Sequence, residues 1–180
     1  MKRLLASLCL LACGWAPFPV AAVETLNGQS VETIDWETLL PADFDFESVY
    51  GSQEELSNLD DFDPEAQRRL DTMKEALKST PVVPELNGRM VRLPGFVVPL
   101  EGDGQTLTTF FLVPWFGACI HTPPPPSNQI VYTHFEPGTR LDNLYDAVWV
   151  TGVLQVEDFS HELASSGYRL EAYRIEPYTE

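Results

Sequence analysis

Sulfur and positive charge are what this chain of 180 residues has least of: three cysteines, three histidines, and 11 Lys and Arg against 27 Asp and Glu, a formal net charge of −16. So acidic a surface repels polyanions, which argues against nucleic acid and anionic lipid as partners; it attracts cations and keeps a protein dispersed in water. No apolar run approaches the roughly 18 residues of a membrane-spanning helix, so no transmembrane segment is expected in the mature chain. No Cys-x-x-Cys occurs, which removes thioredoxin-type redox chemistry and most structural zinc modules. Gly-x-Ser-x-Gly, phosphate-loop and dinucleotide fingerprints are equally missing.

The N-terminus reads "MKRLLASLCLLACGWAPFPVAAVET". A cationic start (Lys2, Arg3), a short apolar run over 4–11 and the small residues "VAA" before Val23 predict a signal peptide over residues 1–22. "LLAC" also resembles a bacterial lipobox, which would make Cys13 a lipid anchor; soluble export is the favoured reading. Cleavage removes Lys2 and Arg3 but no acidic residue, deepening the charge to −18 and leaving 158 of the 180 residues, enough for one domain with a core. Cys9 and Cys13 leave with the leader, so Cys119 stands alone and no intrachain disulfide can form. A lone cysteine in an oxidising compartment is buried, metal-bound, joined to a partner or reactive.

Residues 23–84 form an acidic arm. Its apolar anchors Ile34, Trp36, Leu39, Leu40, Phe44 and Phe46 follow no helical or strand period, yet are too many for a disordered tail, so they are expected to pack along the domain. Within the arm, "DPEAQRRLDTMKEALKST" predicts a helix over 64–78, with Asp63 as N-cap, Pro64 at its first position, and Ala66, Leu70, Met73 and Leu77 on one face. Residues 85–180 speak the language of strands: "RMVRLPGFVVPL", "TLTTFFLVPWFG", "NQIVYTHF", "AVWVTGVLQVEDF" and "YRLEAYRIEPY", separated by turn-forming stretches. The expected class is mainly β (α+β): a small five-stranded antiparallel barrel, OB-like, with its first strand bent at Gly95 and irregularities at Pro94, Pro99 and Pro114. "TRLDNLYDA" could add a helical turn between the third and fourth strands.

The conspicuous chemistry lies in "GACIHTPPPPSNQ". In an extended segment residues i and i+2 point to one side, so Cys119 and His121 can present sulfur and imidazole to a common point. Thr122 is pushed to extended geometry by the proline after it, and prolines 123–126 favour a stiff polyproline II segment that would hold the pair in place. With His134 and His161 the chain offers four soft or borderline donors, the number a tetrahedral zinc site takes; copper would accept them less readily. Each residue has a plainer reading. Cys119 could be an inert core thiol beside "FFLVPWFG", His134 and His161 ordinary hydrogen-bonded histidines, and the prolines a partner-docking strip. A papain-like Cys-His-Asn set places its nucleophile at a helix N-terminus; here the cysteine sits in a strand-like, proline-rich context, so an enzyme is not expected.

"VPWFGACIHTPPPPSNQIVY", with "IDWETLLP" and "NGRMVRLPGFVVPLEGDG", resembles a family of proteobacterial exported proteins known only as a domain of unknown function. The matching motif positions are Gly117, Cys119, His121, Pro123, Pro124, Pro125, Pro126, Asn128 and Gln129; His134 and His161 lie outside it. The resemblance implies a periplasmic protein or lipoprotein associated with ABC-type transport and zinc handling. Two functions follow as expectations. One is a non-enzymatic, zinc-binding accessory of an envelope transporter; the other is an interaction module in which Cys119 is structural and no metal binds.

Overall fold

The computed structural model describes residues 24–51, 64–102, 106–118, 124–140 and 146–179. The leader over 1–22, Cys13, Asp63, the expected helical turn after Arg140, and Cys119, His121 and Pro123 lie outside the described residues.

The protein is mainly β with few helices. Three two-residue strands, β1 (Thr25–Leu26), β2 (Gln29–Ser30) and β3 (Glu32–Thr33), precede the short helix α1 (Phe46–Tyr50) and the longer α2 (Pro64–Leu77). Five long strands follow: β4 (Arg89–Gly102), β5 (Leu107–Val113), β6 (Val131–Thr139), β7 (Val148–Ser160) and β8 (Ser165–Pro177). The predicted helix is therefore present, one residue shorter than expected. Its stripe is graded: Ala66, Leu70 and Met73 are half-buried and only Leu77 is buried, at 2% exposure.

The main sheet has six strands in the order β3-β4-β5-β6-β8-β7, corrected from five because β3 of the arm adds parallel to β4. β4 also pairs with β7, so the ladders of the five long strands return on themselves. Each of those five then has two neighbours among the other four, with β4 meeting β7 and β5 along different halves of its length. The expectation of purely antiparallel pairing is also corrected: β6 and β8 run parallel. Parity is the reason. Strands in a ring of odd number cannot all alternate in direction, so one neighbouring pair must be parallel.

β4 makes the corner. Residues 89–95 pair with β7 and residues 96–102 with β5, so the change of partner falls at Gly95 as expected. A Cβ there would sit 2.8 Å from Leu112 Cγ and from the Val113 carbonyl oxygen, so only glycine lets the strands approach this closely. A register shift follows Pro99, and Pro114 lies just past β5. Pro94 stays in the ladder opposite Trp149.

Two apolar clusters use opposite faces. On β5, Phe110 and Leu112 enter the main core with Leu93, Val131, Val150, Leu154 and Leu170, while Phe111 and Val113 enter a second cluster with Val98, Ala118 and Ile130. Burial on both faces explains why β5 reads as a continuous apolar run rather than an alternation. Of the anchors expected to pack along the domain, Trp36, Leu40 and Phe44 are half-buried, Phe46 is exposed, and two go deeper. Ile34 and Leu39 are core residues, and the Trp36 indole N–H donates to the Pro94 carbonyl at 2.7 Å. The buried Tyr168 ties the arm down from within: its hydroxyl donates to the Leu39 carbonyl at 2.8 Å and accepts the Val83 N–H at 2.7 Å.

Candidate functional site around the proline run

The motif begins where β5 ends. Gly117 has φ +78°, in the left-handed region that favours glycine, and turns the chain so that Ala118 returns to the second apolar cluster at 2% exposure. Residues 119–123 lie outside the described residues, and the motif continues from Pro124. Pro124 is half-buried, and Pro125, Pro126, Ser127, Asn128 and Gln129 are buried. Ser127–Gln129 forms a 3-10 turn that feeds directly into β6.

What holds this half of the motif is a lock of polar contacts to three separated parts of the chain. The Ser127 hydroxyl accepts the Thr80 N–H at 2.9 Å and lies 2.9 Å from the Thr80 hydroxyl, which in turn accepts the Asn128 N–H at 3.0 Å. The Asn128 amide donates to the Pro81 carbonyl at 2.8 Å, and the Gln129 amide donates to the Trp36 carbonyl at 2.9 Å. The Tyr50 hydroxyl donates to the Pro124 carbonyl at 3.3 Å, and burial raises its pKa, so the donor stays protonated. Among the described residues Asn128 Oδ1 is buried with no hydrogen-bond partner, a cost on the order of 1–3 kcal/mol that the other contacts offset. Asn128 and Gln129 are thus braces for the backbone. Pro125 and Pro126 are buried in the chain's own packing, which leaves Pro124 as the described proline with a partly open face.

The two other candidate histidines lie on β6 and in the turn between β7 and β8. His134, on β6, has Nδ1 2.7 Å from a Glu171 carboxylate oxygen on the neighbouring β8, and Nε2 3.6 Å from Glu136. Arg169 lies 3.6 Å from the second Glu171 oxygen. His161 occupies the β7–β8 turn, where its Nδ1 accepts the Leu163 N–H at 3.2 Å and its ring lies 6.1 Å from that of Phe111. Among the described residues no three His, Cys, Asp or Glu side chains converge as a metal group. A four-donor set that includes His134 and His161 is therefore not assembled by the described residues alone.

Sequence reasoning did not pick out Thr80, Ser127, Tyr168 or the exposed pair Trp115 and Phe116. Ser127 could have been noticed inside the motif; Thr80 carries no local signal, since its role depends on a partner 47 positions away. A groove of about 450 Å³ also lies between α1 and α2, lined by Val49, Tyr50, Ala66, Leu70, Met73 and Arg69 among others. Among the described residues it meets the motif through Tyr50, whose hydroxyl reaches Pro124.

A β-rich domain whose proline run is locked into its own core by an arm, a helix end and a sheet is the class that these features define. The chain belongs to the family described as protein of unknown function (DUF3299), whose model matches residues 36–177. A crystal structure of a member of that family from Pseudomonas aeruginosa is similar at 35% identity, covering 84% of this chain and 99% of that one, with a TM-score of 0.65. An OBody bound to hen egg-white lysozyme aligns at 17% identity over 53% of this chain and 86% of that one; its TM-score of 0.35 carries no fold assignment. No curated protein matches the chain.

Proposed function

We propose that this is an exported, periplasmic, non-enzymatic protein that binds a transition metal, zinc rather than copper, through Cys119 and His121, and serves an ABC-type transport system of the envelope. The observation that carries the reading is the lock on the motif. Ala118 on one side and residues 125–129 on the other are buried and held by the fold. Anchored flanks lower the entropic cost of building a metal site between them. A thiolate and an imidazole suit zinc; further donors would come from His134 or His161 after rearrangement, from solvent or from a partner. His134 has its Nε2 to offer, since Nδ1 is the nitrogen beside the Glu171 carboxylate; His161 would bind through Nδ1 after giving up the Leu163 N–H, because that contact leaves the ring proton on Nε2. The interaction-module reading is weaker, because Pro125 and Pro126 are committed internally.

Within the same proposal, the ring of ladders is a barrel of OB type, with β4 pairing β5 and β7, and β8 lying between β6 and β7. The leader over 1–22 directs export, and release as a soluble protein is preferred to anchoring at Cys13. The test is metal analysis of protein recovered from the periplasm beside a Cys119→Ser, His121→Ala variant. Stoichiometric zinc in the wild type, lost in the variant, is the expected result. A metal-free wild type whose thiol resists alkylation sinks the reading in favour of a buried structural cysteine.

A further inference from the structure

Over residues 104–135 the sequence has no Asp, Glu, Lys or Arg, in a chain that carries 27 acidic and 11 basic residues. A charge-free stretch in so charged a protein is expected to be interior, and nearly all of it is. Of its described residues, all are buried or half-buried except Trp115 and Phe116, which are 51% and 46% exposed. They are presented by a defined turn. The Ala118 N–H donates back to the Trp115 carbonyl at 3.3 Å, Gly117 supplies the left-handed residue, and the Phe116 ring packs edge-on to Phe96 at 6.3 Å. Two large aromatics are thus held outward at the start of the proline motif, with the second apolar cluster beneath them.

We propose that this turn is a membrane-contact tip whose two rings enter the boundary between headgroups and acyl chains of a net-neutral phospholipid bilayer. Three observations select that occupant. The exposed aromatic area is about 200 Å², taking roughly half of the 150–250 Å² that each such side chain can bury. A stable protein interface needs about 800 Å² per partner, so the tip is too small to be one. Trp and Phe are side chains of the interfacial zone, and no charge within the stretch resists their entry there. The rest of the chain is strongly acidic and is repelled by an anionic leaflet, so the lipid is zwitterionic. No helix among the described residues is long and apolar enough to cross a membrane, so contact at the surface is the geometry implied.

The experiment is vesicle flotation with protein carrying Cys13→Ser, so that no acyl group can carry it to lipid. It compares this background with Trp115→Ser, Phe116→Ser added, and with Tyr173→Ser added as an equally exposed aromatic on β8. With phosphatidylcholine–phosphatidylethanolamine vesicles, the background protein floats and its tryptophan emission shifts to the blue. The double variant loses tenfold or more in partitioning, while Tyr173→Ser partitions as before. Replacing a third of the lipid by phosphatidylglycerol weakens binding, and added salt restores it. Circular dichroism and thermal unfolding show that the double variant is folded. Failure to float in any composition overturns the proposal, as does flotation that the double variant retains. Self-association lost in the double variant, with no vesicle binding, also overturns it and assigns the tip to a protein contact. Metal content is read separately, so failure here leaves the metal reading standing and the reverse holds too.

Discussion

Replacing Tyr168 by Phe should destabilise the protein out of proportion to the single oxygen removed. The side chain is fully buried, so the ring keeps its packing and the substitution isolates the hydroxyl. That hydroxyl serves two backbone groups at once, the Leu39 carbonyl at 2.8 Å and the Val83 N–H at 2.7 Å. Leu39 is itself fully buried, so its carbonyl loses its partner where water cannot easily follow; Val83 is half-buried and recovers part of its loss. An orphaned buried group costs about 1–3 kcal/mol, so the pair should cost about 2–4 kcal/mol, a large share of the roughly 5–15 kcal/mol that holds a domain together. In urea, with a slope of about 2 kcal/mol per molar, the midpoint should fall by about 1–2 M with the slope unchanged. Tyr173→Phe, at 46% exposure, is the control and should move it little. The same variant tests a pH effect. Burial first of all, and the nearby Glu85, raise the pKa of Tyr168 above 10.0, against a smaller lowering by the Val83 N–H. Above about pH 10 the unfolded chain gives up this proton before the folded one does, so the unfolded state binds fewer protons and stability falls as pH rises through the folded pKa. Tyr168→Phe should flatten that alkaline decline. A loss under about 0.5 kcal/mol, or an alkaline limb identical to wild type, would refute the view that this hydroxyl pins the arm to the sheet.

Further outcomes follow from the same geometry. Ser127→Ala leaves the Thr80 N–H without its acceptor in a buried site and should cost about 1–3 kcal/mol, seen as a drop of about 3–10 °C in thermal unfolding. Gly152→Ala places a Cβ against the Glu171 carbonyl and 2.8 Å from the Ala172 Cα, both backbone, so β7 must move from β8; a loss of about 3 kcal/mol or failure to accumulate as folded protein is expected in a solubility and unfolding assay. His134→Ala breaks a pair whose side chains are 28% and 33% exposed, so its stability cost in urea should stay below about 1 kcal/mol.

How legible the fold was depends on how local its causes are. The five long strands could be read from Val, Ile, Thr and aromatic residues between turn signals, and α2 from Pro64 and its apolar spacing, because each signal lies within the element it specifies. Ile34 and Leu39 were visible as anchors, but no period ties them to one place; Leu39 is held by a hydroxyl on β8 and Ile34 by the Arg92 carbonyl on β4. β3 was not readable: two residues, Glu32 and Thr33, become a strand only because the edge of β4 is beside them. The motif was conspicuous, yet whether Asn128 and Gln129 served a ligand or the fold could not be told from their spacing. Their partners, Pro81 and Trp36, lie in other segments of the chain.

By itself, then, the sequence determined the β-rich class, the position of the long helix and of the long strands, and the corner at Gly95, since alternation, capping and the steric demands of glycine and proline act over a few residues. Only the tertiary structure decided the closure of β4 onto β7, the parallel β6–β8 pair, the depth of the arm and the commitment of the buried prolines to the core. Those depend on which distant surfaces can exclude water together and which buried polar groups must find partners, and neither is encoded at any one position.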